Sequence, residues 1–254
     1  IVLLGDSTQV VFMPLLLMIM STWQIQHLAE RWSSKKYSLL AVPAFLLLPA
    51  VRYWGQLPYL DVAVAGTWIL ILNIFIRVEK EESRRLVAIL GAVAAMAMLV
   101  KYVHVYLIGL VGWFIIKDRD LRRALPFIAG WILISGPFLL HNLFVNGNPL
   151  AALTPQTSFA LKSVADTLGN HTSLTWSYHL LSQLAFIGII AMLLGLFRLR
   201  SKDVESFNAI VILLTPLVII HAFILDWGES RYHLPWLGLA IALMLVSPSA
   251  CLLY

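Results

Sequence analysis

Residues 86–116 read LVAILGAVAAMAMLVKYVHVYLIGLVGWFII, an apolar run of 31 residues interrupted by Lys101 and His104. A helix needs about 20 mostly apolar residues to cross roughly 30 Å of hydrocarbon. The run is therefore either one long tilted helix or two short ones, and its flanks decide between them. Residues 77–85 carry Arg77, Lys80, Arg84 and Arg85, and residues 117–123 carry Lys117, Arg119, Arg122 and Arg123. A single crossing would put these clusters on opposite faces of a membrane, against the tendency of Lys and Arg to collect on the cytoplasmic side. Two crossings keep both inside. Each arm then spans only some 22 Å at about 1.5 Å per residue. Lys101 and Tyr102 are expected at the tip of a short hairpin, slightly below the outer surface and shielded from lipid by neighbouring helices.

The rest of the chain has the same character. Of its 254 residues 60% are apolar and 12% charged, with a mean hydropathy of +0.86. Soluble domains carry roughly 45–50% apolar and about 25% charged residues, so lipid is the expected solvent. A soluble enzyme, a disordered tail and a nucleic-acid module are excluded. Apolar runs at about 8–26, 38–51, 62–77, 86–100, 102–116, 125–141, 180–197, 208–225 and 234–250 predict an all-α, polytopic transmembrane helix bundle of about nine segments. Helices are the natural spanning form because lipid offers the backbone no hydrogen-bond partner. The whole of 1–254 reads as a single transmembrane domain, with 142–179 its longest outer loop. No internal repeat is evident. The single cysteine, Cys251, has no internal disulfide partner. The chain opens at Ile1 without a basic n-region or cleavage site, as expected of a piece of a longer protein.

Counting charge by alternate sides gives a sharp asymmetry. Fourteen of the 18 Lys and Arg fall on one side, and only Arg52, Lys101, Lys162 and Arg231 on the other. The acids divide eight and five, leaving the sides at +6 and −1 within the net +5. The basic pI near 9.4 is thus mostly topology. The first group is expected in the cytoplasm, so the segment starts outside and ends inside.

The informative polar residues are those that topology does not explain, because an ionisable group in or beside a span is costly unless paired or hydrated. The first set is the short outer loop RYWGQLPYLD at 52–61. There Asp61 either caps the next helix, where a carboxylate favours the N-terminal dipole, or serves catalysis or a metal. Trp54 and Tyr59 have the character of interfacial anchors. The second set is Lys101 with Tyr102 and His104. Such a lysine either snorkels to the interface or holds a phosphate with its point charge. The third is DWGESRYHLP at 226–235. Asp226, Glu229, Arg231 and His233 form either a self-satisfied ion cluster or a site in which Arg231 is a forked donor to a phosphate leaving group. Pro235 belongs to the first turn of the final helix. The fourth is His141-Asn142 followed by NGNPL at 146–150, which is turn chemistry.

Asn170-His171-Thr172 is a glycosylation sequon, consistent with an outer or lumenal face. His104, His141, His171, His179 and His233 all fall outside but lack the spacing of a compact zinc set. No Gly-rich phosphate loop and no Gly-x-Ser-x-Gly elbow is present.

These motifs together resemble the polytopic GT-C glycosyltransferases that take a sugar from a polyprenyl phosphate, in particular the protein O-mannosyltransferase-like and aminoarabinose-transferase-like branch. Residues 52–62 resemble the family's second outer loop, where an Asp precedes an apolar helix. Met98-Leu99-Val100-Lys101-Tyr102 is similar to its Leu-Thr-Lys-Tyr/Gly hairpin, with Val100 in place of Thr. Residues 142–150 look like its Asn-x-x-x-x-Gly-x-Pro-Leu segment, and Glu229 to Pro235 like its Arg-Tyr-x-x-Pro signature. All four occur in the family's order and on one deduced side.

The resemblance implies a multi-pass protein of the cell membrane, or of the ER membrane in a eukaryote, that transfers sugar on its extracytoplasmic face with inversion. The donor implied is a polyprenyl- or dolichyl-phosphate-linked sugar held among membrane lipid, and the acceptor a protein, lipid or glycan. Asp61 becomes the acidic member, with a divalent metal as its possible companion, and Lys101 and Arg231 become the phosphate contacts. Arg52, Tyr102, His141, Asn142, Glu229, Tyr232 and His233 are candidate cavity-lining residues. The family's main catalytic carboxylate lies in the first outer loop, after the first helix. Both features are expected upstream of Ile1, so this stretch alone is expected to be inactive. Two other classes remain open: a fragment of a secondary transporter, which calls for charges near the midplane and broken helices related by a repeat, and a membrane scaffold without chemistry.

Overall fold

The computed structural model describes residues 6–54, 61–119, 121–151, 190, 192–223 and 234–246. All secondary structure among them is helical. In chain order the helices are α1 (Asp6–Trp32), α2 (Lys35–Ser38), α3 (Ala41–Leu46), α4 (Pro49–Trp54), α5 (Asp61–Lys80) and α6 (Arg84–Val100). A 3₁₀ segment (Tyr102–Gly109) leads into α7 (Leu110–Asp118) and α8 (Ala124–Asn146), and α9 (Val204–Phe223) and α10 (Leu234–Met244) follow. Residues 192–202 are also helical, apart from these. The chain divides into two compact units, one of residues 1–73, 173–208 and 227–254, the other of residues 74–172 and 209–226.

In the first unit α1 packs through Ile25, Leu28 and Ala29, all fully buried. Its contacts use small and polar groups as well as bulk. Gly66 of α5 sits where any Cβ would strike Ser21 of α1, and Gly238 of α10 lies against Ile25. Asn73 donates from Nδ2 to the backbone carbonyl of Gln24 at 3.2 Å. Such close approach through Gly and Ser, with a hydrogen bond between helices, is how helices associate where burial in lipid supplies no hydrophobic drive. Residues 38–51, expected as one apolar segment, form an interrupted ribbon instead. Pro43 and Pro49 have no N–H to continue the ladder. The chain responds with shorter-range bonds, from Leu40 N–H to Tyr37 O at 3.0 Å and Leu48 N–H to Phe45 O at 3.2 Å.

The second unit holds the stretch that opened the argument. Helix α6 ends at Val100, Lys101 is extended (φ −153°, ψ 119°), and the 3₁₀ segment begins at Tyr102. The two ends of the run meet: Lys117 Nζ and Arg123 both bind Glu79, the latter at 3.5 Å, and Arg123 also binds Asp118 at 3.3 Å. An unbroken helix of this length would hold its ends about 46 Å apart. The run therefore goes out and returns, and both basic clusters lie at one end. One turn inward from this ionic rim the same three elements contribute Phe75, Phe114 and Phe127. Their rings stack edge-on and tilted, with centroids 6.2 and 6.0 Å apart.

Helices α6 and α8 meet backbone to backbone. A Cβ at Gly91 would clash with the carbonyl of Phe127, and one at Gly130 with the carbonyl of Ala88. Most of the rest of α8 is open, although Ser135 and Asn142 are buried. Only 17% of its most apolar window is buried, and Ile132, Leu133, Leu140, Phe144 and Val145 are exposed. Among the described residues α8 is the one helix long and apolar enough by itself to cross a bilayer. Helices α1, α5, α6 and α9 overlap the expected runs 8–26, 62–77, 86–100 and 208–225, so the all-α reading holds among the described residues. Nine membrane segments are not shown, and parts of 180–197, 208–225 and 234–250 lie outside the described residues.

Candidate functional site

Asp61 is the first residue of α5, in the first unit. Arg52, near the end of α4 in the same unit, is exposed. Lys101 and Tyr102 stand at the break between α6 and the 3₁₀ segment, in the second unit. Glu229, Arg231, Tyr232 and His233 lie outside the described residues, whereas Pro235 is the second residue of α10.

Local hydrogen bonding explains the break. The Lys101 N–H closes α6 on Ala97 O at 2.9 Å, and its carbonyl then accepts the N–H of His104 at 3.0 Å. The residue thus serves both helical pieces with its backbone, while its partly exposed side chain is carried at the end of α6 opposite the ionic rim. A compact ammonium on a flexible stem at that position suits a phosphate, because a point charge demands no fixed approach. His104 turns the other way. It is 1% exposed, and neither ring nitrogen has a hydrogen-bond partner among the described residues.

The 142–150 motif is organised by its own turn. Helix α8 ends in Gly147, whose left-handed φ of 67° brings its N–H to Leu143 O at 2.9 Å, a position that favours glycine. Asn142 is buried and donates to Pro149 O at 3.5 Å. It also accepts from Asn146 Nδ2 at 3.4 Å, and Asn148 Oδ1 takes the N–H of Leu150 at 2.9 Å. The Asn and Gly of this pattern therefore close the helix and shape the segment that leaves it, while His141 beside them is exposed.

Sequence reasoning passed over Glu79, whose side chain is only 3% exposed. A signal was present: Leu72, Phe75 and Ile76 are buried, and position 79 continues that face at helical spacing. Among the described residues no group of three or more His, Cys, Asp or Glu gathers as a metal site.

An all-helical scaffold with apolar residues on its outside and charges gathered at a helix rim is of the membrane-protein kind. Residues 2–141 match the family model described as dolichyl-phosphate-mannose-protein mannosyltransferase, more than half of the chain, and the chain belongs to that family. It is thereby a GT-C-like membrane glycosyltransferase. No curated protein and no solved structure gives a significant match.

Proposed function

We propose that this chain forms part of a multi-pass enzyme that transfers a sugar, mannose by the family's description, from a polyprenyl phosphate to an acceptor hydroxyl on the extracytoplasmic face. In this reading the acceptor oxygen attacks the anomeric carbon from the side opposite the phosphate. The new glycosidic bond forms as the bond to the phosphate oxygen breaks, which inverts the configuration. Asp61 takes the acceptor proton, and Lys101 and Arg231 balance the second negative charge that develops on the departing lipid phosphate. Arg52, Tyr102, His141, Glu229, Tyr232 and His233 line the approach. A protein hydroxyl is the acceptor that the family's description favours.

The observation that carries the reading is the break at Lys101. A family-like lysine motif interrupts an apolar run at its tip, far from the end where the other basic residues collect. A transporter would place its charges near the midplane of broken, repeated helices, and in a scaffold the outer residues would serve as caps and anchors. On the full-length protein, Asp61→Asn and Arg231→Ala are each expected to lower sugar transfer at least about tenfold, or roughly 1.4 kcal/mol, with folded protein undiminished. Unchanged turnover in both variants would remove the assignment.

A further inference from the structure

In the second unit a crevice of about 110 Å³ separates the 3₁₀ segment and α7 from the middle of α9. One wall carries Tyr106, Leu110 and Trp113, and the other Ile212, Leu213 and Pro216. Gly109 also lines it, and a Cβ there would meet nothing within 4 Å, so the missing side chain is part of the opening. Nearby along the same elements Val105, Ile108, Ile115, Ile116 and Val211 are exposed, which in a membrane protein makes hydrocarbon the expected surroundings. The volume is below the roughly 300 Å³ at which clefts enclose a whole small ligand. It suits part of a longer, flexible molecule. One polar group interrupts the apolar lining: Trp113 Nε1 is buried and has no hydrogen-bond partner among the described residues. A donor left unpaired away from water is costly. Water answers it poorly, since a held water needs about two to four polar partners, and Tyr106 is the only other polar side chain among the described lining residues. The depth is set as well. Trp113 precedes Lys117, the rim lysine bound to Glu79, by one helical turn, or about 6 Å. Charged groups stay at the edge of the hydrocarbon, so the indole lies just inside that edge, at the level where Trp is enriched. The lining back to Tyr106 covers about 12 Å more, away from the rim.

We propose that this crevice binds one acyl chain of a membrane glycerolipid, with the ester carbonyl accepting the Trp113 Nε1–H and the adjoining methylene groups lying against Gly109, Leu110 and Leu213. Ester carbonyls lie just beneath the headgroups, at the depth of the indole, and they accept without donating. An acceptor at the head of an apolar chain therefore meets both the lone donor and the walls, and the bilayer presents such chains at the opening. The site stands apart from sugar transfer, whose proposed phosphate contact, Lys101, is at the far end of α6 from the rim. Its binding is measured with no sugar donor or acceptor present.

The test mixes the full-length protein in detergent micelles with a phosphatidylcholine that carries a photoreactive diazirine in one acyl chain, and maps the cross-linked residues by mass spectrometry. Label is expected on residues 106–113 and 212–216. Gly109 has an ordinary helical φ of −60°, so Gly109→Leu fills the crevice without backbone strain and should cut that labelling at least about fivefold. Gly112→Leu, with equal room three residues further on but outside the lining, should leave it unchanged. A dialkyl ether analogue, which lacks the carbonyl, should compete with the label about fivefold less well than unlabelled phosphatidylcholine. Trp113→Phe should abolish that difference, and this comparison stands even if Gly109→Leu does not fold. The proposal falls if Gly109→Leu labels as strongly as the unsubstituted chain, or if ester and ether compete equally. It falls too if a polyprenyl phosphate displaces the label where phosphatidylcholine does not, since the crevice would then belong to the path of the sugar donor.

Discussion

Replacing Glu79 by alanine would strip the ionic rim of the group that joins the two ends of the 86–116 run. Its carboxylate is 3% exposed and meets Lys117, itself 35% exposed, and Arg123, 16% exposed. Removing one member of a buried pair costs roughly 3–5 kcal/mol, because the remaining charge is left without compensation. Two features place this case at the low end. Arg123 keeps Asp118 at 3.3 Å, and Lys117 is exposed enough to recover water. The expected loss is therefore about 3 kcal/mol, which corresponds to a fall in Tm of about 6–12 °C for a chain of this size. Lys117→Ala should cost less, about 1 kcal/mol, since Glu79 retains Arg123. Arg77 and Glu81 supply the control: their bridge at 3.1 Å is about half exposed on both sides, and Arg77→Ala should shift stability by less than about 0.5 kcal/mol. Thermal unfolding of the purified full-length protein in one detergent, followed by tryptophan fluorescence, compares all three. If Glu79→Ala melts with Arg77→Ala, the argument that this carboxylate holds the hairpin ends together is refuted.

The backbone contact of α6 with α8 makes a second prediction. Gly91→Ala and Gly130→Ala each push a methyl group into a carbonyl that cannot yield, so each should cost about 1–3 kcal/mol by the same melting assay. Gly112→Ala, in α7 with nothing within 4 Å of the added carbon, should be neutral or stabilising by up to about 1 kcal/mol. Equal losses at all three positions would remove the packing explanation. The charge asymmetry predicts that a reporter fused after Lys202 lies in the cytoplasm, and activity of that reporter outside would reverse the topology.

Composition and periodicity by themselves determined that the chain is helical and apolar, because backbone groups in lipid have only one another to bond. They also placed the break at Lys101, since two basic clusters cannot flank a single crossing without dividing between two faces. The interruption of 38–51 was missed, because the apolar run concealed the signal carried by Pro43 and Pro49. Only the tertiary structure decided which charges matter for holding the second unit together. Glu79, Glu81 and Glu82 look alike along the chain, yet Glu79 alone is shown bound to both Lys117 and Arg123, residues 38 and 44 positions further on. Such pairs depend on how each helix is rotated and how closely its neighbours approach. That approach is set by contacts such as Gly91 on Phe127, which no local pattern specifies. The same holds for His104 and Asn142: the chain shows two polar residues near helix ends, and only packing buries one imidazole and commits one amide to its own turn.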